Sequence, residues 1–403
     1  MTSSTATQTQ HAVPVRTVML LAFAAFASSI NIRACDPLLP QIAQGFDASV
    51  GSAAAIITAF AVGYGMTQLL FGPVGDRYGK YLVVALTAIA AGIATSASAL
   101  MPSLKALVTA RFVAGGFAAA AIPLAFAWIG DAVPFERRQG VLARFLSAQM
   151  TGIILGQAAG GTLGDLFGWR SVFWIIGALH VVAGAAMLVE LKLNPSAQPP
   201  GAASRPGFSS LAAGILDILR RPWVRVMLVA VFVEAFAFYG AFAYIGADLH
   251  HRFGLSFTSV GLVMSVYGGG AIVYSLSAKR LLATLGERGL VLAGGAFMAL
   301  GFVALALAPS IVAVPPVMVL QGLAFYMMHN TLQTNATQMA PEARGLGVSM
   351  FALALFSGQS LGVALAAPVM DRWGAAPIFL AAAAILPFAA LWFRARLAIR
   401  PAP

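Results

Sequence analysis

Apolar residues in this chain neither alternate nor keep to one face of a helix. They come in runs of about twenty, separated by short polar breaks. A run of that length crosses roughly 30 Å of hydrocarbon as a helix, and helices satisfy their own backbone groups where no water is present. The pattern predicts twelve spans near 17–39, 50–71, 81–101, 104–130, 142–163, 170–190, 224–247, 258–281, 289–308, 312–337, 346–368 and 375–393. The expected fold class is therefore an all-α membrane protein of twelve transmembrane helices in two pseudo-symmetric six-helix bundles.

Only one long polar interruption occurs, at 191–222. Its first half is rich in Pro, Gly and Ser and reads as an extended linker. Its second half, 209–221, reads as a short amphipathic helix with Leu211, Ile215, Leu216 and Leu219 on one side. The chain then divides into a tail (1–16), a first bundle (17–190), the linker (191–222), a second bundle (223–393) and a second tail (394–403). The halves repeat each other. At an offset of about 206, Gly152, Leu155, Gly156, Asp165, Gly168 and Phe173 fall on Gly358, Leu361, Gly362, Asp371, Gly374 and Phe379, and Pro134 and Gly140 fall on Pro341 and Gly347. Parallel repeats of this kind place a site between the bundles near the midplane.

Composition adds what the chain is not. Of its 403 residues 60% are hydrophobic and only 9% charged, against roughly 25% charged in a soluble domain. Disorder, coiled coils and disulfide scaffolds are excluded, the last because Cys35 is the single cysteine. The net charge of +11 does not signal nucleic acid, because it is sorted by side. Eighteen of the 24 Lys and Arg lie on the side of the two termini, four on the opposite side, and Arg33 and Arg111 inside spans. By the positive-inside rule both termini are cytoplasmic. The first apolar run lacks a convincing cleavage site and is expected to be retained as a span.

The sharpest motif is Gly72-Pro-Val-Gly-Asp76-Arg77-Tyr-Gly79-Lys80, joining spans 2 and 3. Its glycines allow a tight turn and close helix approach, and Asp76 can cap a helix or pair with a cation. GPVGDRYGK resembles the loop signature of the major facilitator superfamily, and the resemblance extends over the whole chain. ARFVAGG at 110–116 looks like that family's second motif, and Asp36-Pro-Leu-Leu-Pro40 resembles the first-span motif of its drug:proton antiporter and sugar-efflux-like subfamily. The resemblance implies alternating access in a bacterial inner membrane, with a gating role for Gly72, Asp76, Arg77, Gly79 and Lys80. It also implies coupling roles for an acid in span 1 and for the span-4 arginine. Two departures are visible. Span 5 carries Gln157 where the antiporter signature has a proline, and the copy of the loop motif between spans 8 and 9 keeps Lys279, Arg280, Gly286 and Arg288 but no Asp-Arg pair.

Ionisable residues inside spans give a separate argument, because a charge in hydrocarbon costs at least about 2.5–3.5 kcal/mol and so faces a cavity or a partner. There are four: Arg33 and Asp36 in span 1, Arg111 in span 4 and Glu234 in span 7. Arg33 and Asp36 share one helix face and can pair, either as a structural ion pair or as a site that exchanges a proton or substrate charge. Glu234 lies near the midplane with no basic residue within a turn, so it is the expected principal protonation site, the alternative being a permanently protonated structural donor. Span 10 is the most polar. Tyr326, Asn330, Gln333 and Thr337 recur at the spacing of one helix face and are expected to line a cavity as the substrate wall, with His329 beside them. Tyr64, Gln149 and Phe238 complete the expected substrate contacts.

Nothing in the sequence points to an enzyme: no nucleotide-binding loop, no HExxH and no Cys/His cluster. No cofactor and no metal are expected. The expected partners are a small-molecule substrate, protons and the bilayer, with the monomer as the working unit. The leading expectation is proton-coupled efflux of a drug-like or sugar-like compound. Proton-coupled uptake of a small, possibly anionic metabolite is a second reading, with Arg33 or Arg111 holding its carboxylate. A non-transporting scaffold or sensor is a third.

Overall fold

A computed structural model describes residues 15–198 and 208–400. The N-terminal tail and much of the first half of the linker lie outside the described residues. Ten helical stretches among the described residues are long and apolar enough to cross a membrane. They hold span 1 (Val15–Gly45), span 2 (Val50–Tyr78), span 3 (Lys80–Ser98), span 4 (Leu104–Ala132), span 6 (Trp169–Leu193), span 7 (Pro222–Phe253), spans 8 and 9 together (Phe257–Leu307), span 10 (Ile311–Ala336), span 11 (Pro341–Trp373) and span 12 (Ala376–Leu397). Spans 8 and 9 part at Gly286, whose φ of 63° breaks the helix. Span 5 is the helix Phe135–Phe167, 33 residues long. Glu136, Arg137, Arg138 and Arg144 crowd its first turns.

Local sequence explains the breaks. Pro37 and Pro40 lack the N–H an α-helix needs, and span 1 tightens to a 3-10 turn at Asp36–Leu38 before resuming as Leu39–Gly45. Pro123 opposes the carbonyl four residues before it, and span 4 is split there into Leu104–Ala118 and Ala121–Ala132. Ser49, Ser103 and Ser256 cap the helices that follow them by accepting a backbone N–H. The linker helix, Phe208–Arg220, lies against the start of span 11, with Arg221 paired to both Glu342 and Asp217.

Packing repeats with the sequence. In the first bundle Gly152 and Gly156 of span 5 meet the backbone of Phe26 and Ile30, and in the second Gly358 and Gly362 of span 11 meet that of Phe232 and Phe236. Where spans 2 and 4 cross, Gly115 abuts Phe60, as Gly322 of span 10 abuts Tyr267 of span 8. Small residues let helices approach where lipid offers no hydrophobic drive for association.

The bundles touch one another most closely at the end of the molecule away from the termini. There Gly161 of span 5 crosses Gly261 of span 8 with no room for a Cβ on either, and Gly51 of span 2 abuts the carbonyl of Ala367 in span 11. At the end of the termini a cavity of about 580 Å³ opens between spans 2 and 4 of one bundle and span 11 of the other.

Candidate functional site

Span 4 delivers Arg111 into the first bundle, where it is 1% exposed. Its Nη1 donates to Asn31 Oδ1 at 2.6 Å and its Nη2 to the Asn31 carbonyl at 3.1 Å. The Asn31 amide nitrogen donates in turn to Thr95 Oγ1 at 2.8 Å. The guanidinium also lies over the Phe60 ring, 4.2 Å from its centroid. Arg111 is therefore held by span 1 through a neutral asparagine, one turn from Arg33 and Asp36.

Asp36 is completely buried. Arg33 Nη1 lies 3.5 Å from its Oδ2, the nearest cation to the carboxylate among the described residues. The amide of Gln157 on span 5, also buried, faces the same carboxylate. Arg33 does more than pair locally. Its guanidinium rests 4.1 Å from the centroid of Tyr239 and 5.6 Å from that of Phe242, both on span 7. A cation of the first bundle thus sits on the aromatic face of the second, an attraction worth about 2 kcal/mol when desolvated.

That face belongs to a cluster in which Phe238 stacks near Tyr239, Phe242, Tyr267, Phe302 and Phe325. One turn before Phe238, Glu234 projects from span 7 and is fully buried. No base lies near it on its own helix, but span 10 supplies one. His329 Nδ1 is 2.7 Å from Glu234 Oε2, and the imidazole is stacked on Phe325 with centroids 4.7 Å apart. The second oxygen, Oε1, has no hydrogen-bond partner among the described residues. A contact this short holds a single proton between carboxyl and imidazole, whichever of the two carries it.

The other expected residues separate. Tyr326 joins the aromatic cluster, 5.5 Å from Phe325, and the Asn330 amide donates to Tyr274 Oη at 3.3 Å. Gln333 and Thr337, further along the stripe, are exposed at the end of the termini. A cavity of about 330 Å³ is lined by Tyr274, Lys279, Asn330 and Thr334. Tyr64 packs across the bundle interface, 4.5 Å from Phe356 of span 11, and Gln149 is half-buried on span 5. Phe238 is the centre of its cluster and wholly buried.

The loop motif is built as a bracket. Lys80 Nζ bridges Asp76 at 2.8 Å and Asp131 at 2.7 Å, and Arg77 lies over the Tyr78 ring at 5.3 Å. Gly79 has φ +97°, and the side chain of Gln198 fills the place a Cβ would take. Gln198 accepts from the Leu82 amide at 3.1 Å and donates to the Tyr78 carbonyl at 3.3 Å, while Trp128 Nε1 donates to the Ala197 carbonyl at 2.7 Å. The start of the linker is thus stitched to the motif. Gly72, Asp76 and Lys80 line the 580 Å³ cavity together with Glu342 and Arg344 of the other bundle.

Sequence reasoning missed Asn31, Asp131 and Gln198, which acquire meaning only as partners, and it left Glu234 without the histidine that holds it. A period count along span 10 places His329 beside the polar stripe, but no local pattern aligns spans 7 and 10.

The Major Facilitator Superfamily family model matches residues 21–363 and again 245–403. The uncharacterised MFS-type transporter YwfA of Bacillus subtilis (strain 168) is 27% identical over 380 residues, which cover 94% of this chain and 91% of that protein. The chloramphenicol resistance protein of Streptomyces lividans is 26% identical over 354 residues, 88% of each chain. Among solved structures, a bacterial homologue of the human lysosomal transporter Spinster, inward-facing and unoccupied, superposes with a TM-score of 0.76 at 18% identity, covering 97% of this chain and 100% of that one.

Proposed function

Since the chain belongs to the major facilitator superfamily, whose members are transporters that work by alternating access and not enzymes, we propose that it is a proton-coupled exporter of small organic compounds. The observation that carries this reading is the 2.7 Å contact of buried Glu234 with His329, in which Glu234 Oε1 has no hydrogen-bond partner among the described residues. A carboxyl and an imidazole in contact inside a membrane span are the parts of a proton relay, filled or emptied when another conformation of the bundles brings water to them.

Two further features support the assignment. Arg33 rests against Tyr239, five residues from Glu234, so a movement of one bundle against the other alters the charge near the pair. The surrounding wall is aromatic with few charges, which suits a ring-bearing compound that is neutral or carries one charge. Export, as against uptake, is supported by a resistance protein among the relatives. The sorting of basic residues supports cytoplasmic termini, so the 580 Å³ cavity faces the cytoplasm. We place the protein in a bacterial inner membrane, acting as a monomer. Asp36, Arg33 and Arg111 form the second charged group, and Tyr326, Asn330, Gln333 and Thr337 a polar ramp from the aromatic cluster to the cytoplasmic water.

The test is accumulation of chloramphenicol and of neutral and monocationic aromatic dyes in cells making the protein. Wild type is expected to lower accumulation at least severalfold, and an uncoupler to abolish the effect. Glu234→Gln is expected to raise accumulation to the level of cells lacking the protein while retaining wild-type folding and membrane abundance. Full gradient-driven export by Glu234→Gln would refute the assignment, and a rise in accumulation with wild type would replace export by uptake.

A further inference from the structure

At the end of the molecule away from the termini, each bundle reaches across to the other with one carboxylate. Asp371, at the end of span 11, accepts from the Ser49 hydroxyl at 2.6 Å and from the Gly51 amide at 2.8 Å, both in the turn that opens span 2. Asp165, at the end of span 5, accepts from the Thr258 hydroxyl at 2.8 Å and the Thr258 amide at 3.2 Å, in the turn that opens span 8. Asp165 and Asp371 are 206 positions apart, and Gly51 and Thr258 are 207 apart, so the two contacts are copies related by the internal repeat. Both carboxylates are exposed at the surface, directly above the backbone-to-backbone crossings of Gly161 with Gly261 and of Gly51 with Ala367.

We propose that Asp165 and Asp371 are a two-point latch that holds this end of the transporter shut and sets the resting balance between its two open conformations. The reason is chemical. The partners are backbone amides and hydroxyls at helix starts, so each carboxylate accepts charge-assisted hydrogen bonds across the moving interface. Among the described residues the hydrogen bonds of both carboxylates run across to the other bundle and none runs within their own. When the bundles rock, both contacts must break together, whereas the glycine crossings beneath them are only close packing. This role goes beyond alternating access as such, and it does not depend on the coupling ion or on the direction of transport.

The experiment uses the full chain in liposomes with Cys35→Ser and spin labels on Lys105→Cys and Ser310→Cys, exposed positions at the same end, one on each bundle and remote from both latches. The wild-type distance distribution is expected to be dominated by the short distance. Asp165→Ala/Asp371→Ala together are expected to raise the ratio of long to short distance by about tenfold, equivalent to about 1.4 kcal/mol. Each single variant is expected to raise it about threefold, and these single variants decide the matter should the double variant not fold. An unchanged distribution in a folded double variant, or in both single variants, overturns the proposal.

Discussion

Arg111 shows how a single buried cation is tolerated. Its fork closes on the side chain and carbonyl of the same residue, Asn31, and its plane is covered by Phe60. A lysine keeps the charge but is a point donor that cannot satisfy both acceptors in that geometry. Arg111→Lys is expected to lower stability by about 1–3 kcal/mol, read as a reduced melting temperature of the purified protein in detergent. At Glu234 the same logic separates two substitutions. Glutamine keeps an acceptor for His329, whereas alanine removes the partner of its Nδ1 and leaves a cavity beside it. Glu234→Ala is therefore expected to melt below Glu234→Gln, although both lose gradient-driven transport. Which residue types carry charge inside spans was legible in the chain, since hydrocarbon makes every such residue an exception. Their partners were not legible, because Glu234 and His329 meet only when spans 95 residues apart are set side by side.

Helices were the most readable level, and their errors have one cause. Hydropathy marks the stretch that lies in oil, not the stretch that is helical, so span 5 begins at Phe135 and not near 142, and span 11 continues to Trp373. Glu, Arg and Gln are good helix formers and carry the helix out into water. The turns were legible where glycine alone fits. Gly79 and Gly286, related by the repeat, both have positive φ, even though the rest of the loop motif is lost from the second copy. Gly79→Ala is expected to cost about 1–2 kcal/mol from backbone strain alone and, by displacing Gln198, to detach the linker from the motif. The check is proteolysis of the linker, which is expected to become severalfold faster in Gly79→Ala and also in Gln198→Ala, where the backbone is unstrained.

Across the whole molecule, symmetry and function part company. The glycine contacts, the caps of Ser49 and Ser256 and the carboxylates of the latch recur in both halves, but none of the buried ionisable residues does. The positions equivalent to Asp36, Arg111 and Glu234 are Phe242, Met318 and Ser28. Duplication built the frame, and the charges distinguish one bundle from the other. This is why the fold could be read from repeats while the site could not. Orientation is a property of the same scale, and the excess of Lys and Arg on one side predicts that a reporter fused after Pro403 is cytoplasmic. A fluorescent protein there is expected to mature and a phosphatase to stay inactive. The linker adds a bound on motion. One anchor is Gln198, fastened beside Gly79 in the first bundle. The other is the helix starting at Phe208, which leans on span 11 in the second. Whatever course the chain takes between them, its ten peptide steps reach no further than about 36 Å when drawn taut. The linker is in effect a leash, and its length sets how wide the mouth beside the termini can gape before the tether pulls on the very loop that carries Asp76.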